Sequence, residues 1–382
     1  MTDDSIDTFL AQPFGGGEGS VTPPIYQSSL FTFDDFSAFE ARMSGQGNRT
    51  LYSRVQNPTQ DAFEKMMAKL EGGESAVGFA SGMAAISSVL FAFLKPGDRL
   101  ACVEHVYPDA YRLMERMLGP WGVEVTYHSV TELQDNPDTL KGAALAYLES
   151  PNSMMMQVMD LRKVADHAKA HGCLTVVDNS WATPVFQTPL ALGIDIVLHS
   201  ASKYICGHSD TVAGVVVASD EHIARIRDLT LPLLGGKLAP FEAWLLVRGL
   251  RTLPARMREH QRTADLFVDR LGARPEVVAV NSPGPNSVPG LKGRSGLMSI
   301  EFTKDVDVRK FADALNLFHY GVSWGGFESL IVPTAITLAQ AGPKNSLQAF
   351  GVPDTMVRIS LGLEDAEALW ADFESALVKA GS

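Results

Sequence analysis

Apolar and polar positions along the middle of the chain form blocks with two different periods. Short, nearly continuous apolar runs predict buried strands at 76–79, 99–103, 123–127, 143–148, 174–177, 194–198 and 212–218. Between them, apolar residues three or four positions apart predict helices at 61–70, 81–94, 111–118 and 161–170. Strands that alternate with helices predict an α/β fold, in which helices cover both faces of a parallel or mixed sheet.

The two ends of the chain have a different pattern. Residues 1–50 are interrupted by Pro and Gly and look irregular, so we interpret them as an N-terminal arm that packs on a neighbouring chain. Near the other end, 241–253 is helical, and 297–302 alternates as an antiparallel strand does. We therefore predict a large domain at 51–245 and a smaller α+β domain at 246–382.

Composition and charge exclude several classes of protein. The chain is 46% hydrophobic and only 20% charged, which argues against disorder, and its net charge of −12 argues against binding to nucleic acid or to anionic lipid. No apolar run reaches the about 18 residues that a membrane span needs, and the N-terminus does not look like a signal peptide. Three scattered cysteines form no disulfide framework, and His167 and His171 lack a third metal ligand. These features indicate a cytoplasmic protein without a metal site.

Three features place candidate functional residues at one edge of the predicted sheet. Asp178 and Lys203 each follow an apolar strand, at the carboxyl edge where open α/β sheets bind ligands, although the two could equally form a structural ion pair. Ser81-Gly82-Met83 opens a helix, where it would serve either as a phosphate site or as an ordinary serine N-cap. Together the three match pyridoxal phosphate, which needs a Schiff-base lysine, an acidic partner for its ring nitrogen and a phosphate site.

An ordered set of motifs extends this match over nearly the whole chain. The sequence resembles the pyridoxal-phosphate enzymes of cysteine and methionine metabolism, and most of all their cystathionine β-lyase branch. The motifs that carry the resemblance are Pro23-Pro24-Ile25-Tyr26, Tyr52-Ser53-Arg54, Ser81-Gly82-Met83, Glu149-Ser150-Pro151, Asp178-Asn179, Ser200-Ala201-Ser202-Lys203-Tyr204, the run from Arg248 to Leu253, the run from Ser323 to Leu330, and Arg358.

The resemblance implies a fold, an assembly and a role for each site residue. The fold would be the aspartate-aminotransferase type of pyridoxal-phosphate transferase, with a mixed sheet of seven strands, and the assembly a homotetramer with active sites shared across a dimer. The implied catalytic residues are Lys203, for cofactor attachment and proton transfer, and Tyr107, for ring stacking and movement of a proton. The implied cofactor contacts are the ring nitrogen for Asp178 and the phosphate for Gly82, Met83, Ser200 and Ser202, and across the subunit boundary for Tyr52 and Arg54. The implied substrate-binding residues are Arg358, Ser323 and Trp324.

The branch of the family is less sharply indicated. Ser153, Val322 and Trp324 match the β-lyases, which release a thiol, pyruvate and ammonia from a cysteine S-conjugate. The segment Asn57-Pro58-Thr59 instead resembles the γ-replacing transferases, such as cystathionine γ-synthase and O-acylhomoserine sulfhydrylase. Arg112 stands where cystathionine-cleaving relatives have an aspartate, so it would either bind a distal carboxylate of the substrate or point into solvent. Both activities stay open at this stage.

Overall fold

A computed structural model describes residues 3–14 and 17–381, and its centre is a sheet of seven strands. The strands lie in the order β1-β7-β6-β5-β4-β2-β3, and their bounds are β1 Ser75–Phe79, β2 Arg99–Val103, β3 Glu124–His128, β4 Leu145–Glu149, β5 Leu174–Asp178, β6 Ile196–His199 and β7 Gly214–Ala218. Strand β7 is antiparallel to both of its neighbours, and the remaining pairs are parallel. The predicted α/β fold with a mixed seven-stranded sheet is confirmed.

Helices cover both faces of this sheet and continue to the C-terminus. Their bounds are α1 Asp3–Ala11, α2 Phe36–Met43, α3 Pro58–Glu71, α4 Gly82–Phe93, α5 Pro108–Leu113, α6 Gly119–Trp121, α7 Val130–Asp135, α8 Leu161–His171, α9 Thr183–Phe186, α10 Asp220–Asp228, α11 Thr230–Leu234, α12 Pro240–Leu271, α13 Val308–Asp313, α14 Thr334–Leu338, α15 Ser346–Ala349 and α16 Ala366–Ala380. A π-helical turn at Met114–Leu118 joins α5 to α6. The helices predicted between the strands are therefore present, with ends that differ by a few residues.

A second, smaller sheet of five strands follows in the C-terminal part. Its order is β10-β11-β12-β9-β8, and its strands are β8 Val277–Asn281, β9 Leu297–Phe302, β10 His319–Tyr320, β11 Leu330–Pro333 and β12 Met356–Ser360. All pairs are antiparallel except β10 with β11. Residues of α12, α13 and α16 share one hydrophobic core with this sheet. The domain limits at 51–245 and 246–382 stay a prediction, since residue 245 lies inside α12.

Helix α12 is longer than the sequence pattern predicted. It runs for 32 residues without a break, contains Pro254, and includes both the predicted stretch at 241–253 and the charged residues that follow. Its first half packs with α3 in the core beneath the large sheet, and its second half packs in the core of the small sheet. Among the described residues neither α12 nor another helix is apolar enough over sufficient length to cross a bilayer.

The N-terminal arm is more ordered than the expectation of an irregular segment. Helix α1 buries Ile6 and Leu10 in the same core as the first half of α12, so it packs on its own chain. Helix α2 begins at the N-cap Asp35 and buries none of its side chains. The large side chain of Phe36, for example, is 78% exposed. The segment from 21 to 52 thus leaves an apolar surface that the other described residues do not cover.

Candidate active site

A cleft of ≈ 260 Å³ opens where β4, β5 and β6 end and α4 begins, and residues of the small sheet close its other side. This is the carboxyl edge of the parallel strands, where the strand ends leave room for a ligand. The site residues expected from the sequence that line the cleft are Gly82, Met83, Tyr107, Asp178, Ser200, Ser202, Lys203, Ser323, Trp324 and Arg358.

Asp178 is the last residue of β5, and its carboxylate lies on the floor of the cleft. One of its oxygens accepts hydrogen bonds from the backbone N–H of Ser180, at 2.9 Å, and from the Ser180 hydroxyl. The Ser180 oxygen in turn accepts the N–H of Ser200 at 2.6 Å. Burial raises the pKa of Asp178, whereas the bonds from Ser180 and the positive charges of His199 and Lys203 favour the ionised form.

Lys203 lies in the loop that follows β6, and its side chain reaches across the cleft to the second sheet. Its Nζ donates to the hydroxyl of Ser323 at 2.5 Å and lies 5.3 Å from the centre of the Trp324 ring. Burial and the positive charge of Arg358 lower the pKa of Lys203 to about 8, against the opposing effect of Asp178. A large share of this amine is therefore neutral in mildly alkaline solution, as a proton acceptor must be.

The first turn of α4 forms one wall of the cleft. The Ser81 side chain caps the helix by accepting the N–H of Ala84 at 3.0 Å, and Gly82 and Met83 follow it. A Cβ atom at Gly82 would lie 2.9 Å from the Cβ of Ser200, so only glycine allows the helix end to approach this closely. The N-terminus of a helix carries a partial positive charge, which favours an anion here. The nearby Ser202 hydroxyl donates to the carbonyl of Ala213 at 3.2 Å.

Tyr107 is held above the cleft by the buried carboxyl group of Glu149, the last residue of β4. The Tyr107 N–H donates to Glu149 Oε1 at 2.8 Å, and the Ser153 hydroxyl donates to Oε2 at 3.2 Å. Burial, together with the negative charge of Asp178, raises the pKa of Glu149 to about 8. The Tyr107 hydroxyl donates to Asp109 at 3.0 Å, and its ring stays 39% exposed.

Arg358 lies on β12 and lines the cleft from the side of the small sheet. Its Nη2 donates to the carbonyl oxygen of Ser323 at 3.3 Å, and within the part of the chain that the structure describes it forms no ion pair with a carboxylate. Burial lowers the pKa of Arg358 to about 10, so the group remains a cation at neutral pH. A guanidinium in this position can bind a carboxylate through two parallel hydrogen bonds.

Three residues expected at the site lie outside this cleft. Tyr52 and Arg54 are together on the surface, where the Arg54 guanidinium stacks 5.5 Å from the Tyr52 ring and donates to the carbonyl of Pro232 at 2.7 Å. Arg112 neither lines the cleft nor points freely into solvent. It forms an ion pair with Asp109 and donates to Gln340 Oε1 at 2.5 Å, because α5 turns it towards those groups.

The cleft also contains residues that the sequence did not single out. Ser180, Trp181, Val212 and Leu297 line it, and the Trp181 indole donates to the carbonyl of Leu297 at 3.0 Å. The signal for Ser180 was present, since a serine two positions after an aspartate at a strand end is the pattern of a side-chain-to-backbone turn. The contribution of Leu297 depends on contacts between the two sheets, which no local pattern reveals.

Relatives of known sequence have matching lengths and related activities. Cystathionine beta-lyase of Lactococcus lactis subsp. cremoris (strain MG1363) is 37% identical over 369 residues, which cover 94% of this chain and 95% of the relative. L-methionine gamma-lyase of Pseudomonas putida is 36% identical over 370 residues, covering 94% and 93%. The two relatives are nearly equally similar to this chain, so identity alone does not separate β- from γ-cleavage.

A solved structure and a family model agree with these relatives. The cystathionine gamma synthase of Xanthomonas oryzae pv. oryzae in complex with cystathionine superposes with a TM-score of 0.89 at 36% identity, covering 100% of this chain and 98% of that one. The model of the family described as Cys/Met metabolism PLP-dependent enzyme matches residues 11–378. This chain therefore belongs to the pyridoxal-phosphate-dependent enzymes of cysteine and methionine metabolism.

Proposed function

We propose that the protein is a carbon–sulfur β-lyase that releases a thiol, pyruvate and ammonia from a cysteine S-conjugate such as cystathionine. The observation that carries this proposal is the setting of the Lys203 amine, which lies between the Ser323 hydroxyl and the Trp324 ring. The position before Ser323 is Val322, which is 86% exposed and brings no acidic side chain towards the amine. This side of the cleft therefore offers one base, which suits removal of a single proton at Cα.

The residues of the cleft fit pyridoxal phosphate. A buried carboxyl group at Asp178 suits a protonated ring nitrogen, and the close approach of Gly82 to Ser200 leaves a backbone-lined cradle that a Cβ would fill. Lys203 supplies an amine for the cofactor's aldehyde. The groups that would hold the phosphate are the N–H groups of the first turn of α4 at Gly82 and Met83 and the side chains of Ser200 and Ser202.

Three side chains of the cleft have separate roles in the elimination. Arg358 would bind the α-carboxylate of the substrate, Tyr107 would stack on the cofactor, and the neutral amine of Lys203 would take the proton from Cα. When bound, the cofactor accepts the electron pair that this proton leaves behind. The Cβ–S bond breaks as the thiolate departs and takes up a proton. The overall reaction therefore converts cystathionine and one water molecule into homocysteine, pyruvate and ammonia.

The residues that distinguish the β-lyases from the γ-replacing transferases support the assignment as a β-lyase. The segment Asn57-Pro58-Thr59, which resembles the γ-replacing transferases, has a local structural role. The Asn57 side chain caps α3, and the buried Thr59 hydroxyl donates to the carbonyl of Pro24 and accepts the N–H of Tyr26. The ion pair of Arg112 with Asp109 likewise neutralises the charge that would have favoured a substrate with a distal carboxylate.

The second candidate is a γ-replacing transferase that acts on an acylated homoserine. The observation in its favour is the TM-score of 0.89 with a cystathionine gamma synthase. Turnover of O-succinyl- or O-acetylhomoserine only when a thiol is present would support this candidate, and lack of reaction with both would exclude it.

Product analysis with cystathionine tests the proposal. We expect pyruvate and homocysteine, measured by coupling pyruvate to lactate dehydrogenase, whereas 2-oxobutyrate as the main product would contradict β-cleavage. The variant Lys203→Ala is the control for background reaction, because it keeps the phosphate contacts and loses the base. A panel of cysteine S-conjugates under the same conditions identifies the preferred leaving thiol.

We also propose a homotetramer whose active sites are shared within each dimer. Exposed apolar side chains on the arm, such as Phe36, and the exposed pair of Tyr52 and Arg54 support a contact with a second copy. Mixing inactive Lys203→Ala with inactive Arg54→Ala is expected to restore activity at about a quarter of the sites, because each mixed dimer has one site free of both changes. No recovery in a mixture that has exchanged subunits would contradict sharing. The cytoplasmic location expected from the sequence stays a prediction.

A further inference from the structure

A buried polar cluster lies beneath the floor of the cleft and takes no part in the steps proposed above. We call it the floor cluster, and it consists of Glu71, Asn179, Gln187 and His199. None of the four lines the cleft. The side chains of Glu71 and His199 are 0% exposed. A carboxylate hidden so completely costs free energy unless several donors surround it, so its presence needs an explanation.

Glu71, the last residue of α3, joins two strand ends through one oxygen. Its Oε1 accepts hydrogen bonds from His199 Nε2 at 2.6 Å and from Asn179 Nδ2 at 2.9 Å. Gln187 extends the network, because its Nε2 donates to Asn179 Oδ1 at 3.1 Å and to the carbonyl of Ser150 at 3.3 Å. The ends of β4, β5 and β6 are therefore tied together from below by side chains.

The tied positions are next to residues of the cleft in the sequence. Three of them have such neighbours: Asn179 follows Asp178, His199 precedes Ser200, and Ser150 follows Glu149. A shift of the floor cluster would thus move the ring contact and the phosphate contact relative to each other. The bond from the Ser200 N–H to Ser180, which also holds the Asp178 carboxylate, is a second link between the same two strand ends.

The cluster also affects the charge at Asp178. A positive charge on His199 favours the ionised form of Asp178, against the burial that raises its pKa. Lys203 acts in the same direction from inside the cleft. On the other side, the charge of Asp178 raises the pKa of Glu149, so two carboxyl groups at paired positions of β5 and β4 compete for one negative charge. Within the floor cluster, His199 is thus the residue that favours ionisation of Asp178.

We propose that Glu71 is a positioning residue, which fixes Asp178 and Ser200 relative to each other through Asn179 and His199. It thereby sets the distance between the ring and phosphate contacts of the cofactor. This inference rests on the proposed roles of Asp178 and Ser200 and does not depend on which carbon–sulfur bond the enzyme cleaves.

The test compares two buried glutamates of the same helix. Glu71→Gln removes the carboxylate of the floor cluster. Glu64→Gln is the matched control, because Glu64 is also buried on α3 but accepts from Gly78 N–H and Arg227 instead. For each variant, the apoprotein is titrated with pyridoxal phosphate, the visible absorbance of the loaded protein is recorded, and the thermal midpoint is measured.

We expect Glu71→Gln to weaken cofactor affinity by about tenfold, since it loses a charged acceptor shared by two donors, and to change the absorbance spectrum. Its kcat should fall with little change in KM. Glu64→Gln should lower the thermal midpoint and leave affinity and spectrum unchanged. If Glu71→Gln behaves as the control does, Glu71 has a structural role only and the proposal is overturned. If it fails to fold, Asn179→Ala is measured instead with the same expected loss of affinity.

A third variant separates this inference from the proposed function. Asp178→Asn is expected to change the absorbance of the bound cofactor and to lower its affinity. If Asp178→Asn changes neither, the proposed role of Asp178 fails and the inference falls with it. If Asp178→Asn changes both while Glu71→Gln and Asn179→Ala change neither, only the inference is overturned.

Discussion

At the scale of single residues, two cations share one cleft, and the charge of Arg358 affects the protonation of Lys203. The pKa of Lys203 is lowered to about 8, first by burial and then by the charge of Arg358. A base that must be neutral gains activity as the pH rises through its pKa, so the rate of proton removal should increase up to about pH 8 and then level off. The acidic limb of the pH–rate profile thus reports the ionisation of Lys203.

Removal of the second cation should move this limb. In Arg358→Gln the positive charge that lowers the pKa of Lys203 is gone, so we expect the limb to shift to higher pH while burial, the larger cause, still holds the pKa below its ordinary value. KM for the amino acid should rise, because the α-carboxylate loses its partner. The measurement is kcat against pH at saturating substrate, with the exposed Arg116→Gln as the control. If the apparent pKa of the acidic limb is the same in Arg358→Gln as in the unmodified protein, the charge of Arg358 does not affect Lys203 and the prediction is contradicted.

A single methyl group tests the approach of α4 to the phosphate site. Gly82→Ala would place a Cβ 2.9 Å from the Cβ of Ser200, and a clash of this kind costs about 1–3 kcal/mol. We expect weaker binding of pyridoxal phosphate, measured by titration of the apoprotein. Gly119→Ala is the control, because its Cβ would meet the nearest atom at 3.5 Å in ordinary helical backbone and should leave affinity unchanged. Equal cofactor affinity in both variants would contradict a tight cradle.

Much of the site at this scale follows from local sequence signals. Asp178 and Lys203 are recognisable because each stands after an apolar strand, and strand ends are fixed by burial. Glu71 carries no such signal, since a glutamate in the last turn of an amphipathic helix is usually solvated. Its burial results from the packing of α3 against strand ends more than 100 positions away, and local patterns contain no information on that contact.

At the scale of elements, α12 touches the backbone of the loop that bears Lys203. A Cβ at Gly249 would lie 2.4 Å from the carbonyl oxygens of Ile205 and Cys206, so the helix and the loop are in direct contact there. Arg256, about two turns further on, donates to the carbonyl of Tyr204 at 2.7 Å. The position of the lysine is thus set partly by a helix that has no residue in the cleft.

Gly249→Ala should disturb this contact. We expect the free energy of unfolding to fall by about 1–3 kcal/mol, because both atoms that the methyl group meets belong to the backbone and cannot rotate away. Gly272→Ala, at the other end of α12, meets only ordinary contacts and should change stability little. Denaturant unfolding of the two variants measures the difference. An equally large decrease in the free energy of unfolding of Gly272→Ala would contradict a specific effect of the contact between α12 and the loop.

The length of α12 shows why element boundaries are hard to predict. The sequence pattern predicted a helix at 241–253, whereas the helix in the structure continues past Pro254 to Leu271. Yet Leu250, Leu253, Met257 and Phe267 keep a helical spacing across the proline, and all four are buried. The periodic signal therefore continues beyond the predicted stretch, even though a proline inside a helix removes one backbone hydrogen bond. Packing on both sides of Pro254 stabilises the continuous helix.

At the scale of the whole molecule, the sequence predicted the large sheet better than the arm or the small sheet, of whose five strands it predicted only the one at 297–302. Continuous apolar strands can be recognised wherever both faces of a sheet are covered. The segment from 21 to 52 has no such signal, since its apolar side chains, including Phe36 and Met43, are exposed within one chain. Local patterns in the sequence do not indicate what covers such exposed apolar side chains.

The uninterrupted α12 also bears on how a substrate reaches the cleft. Its 32 residues span about 48 Å, and its two halves belong to the cores of both sheets. Separation of the two sheets would have to break or bend this helix. We therefore expect the radius of gyration, measured by small-angle X-ray scattering, to stay the same when an unreactive amino acid is bound, and a decrease would contradict a rigid connection. Substrate entry and product release then depend on side chains and loops around an opening of constant width. They do not depend on a movement of the two sheets away from and towards each other.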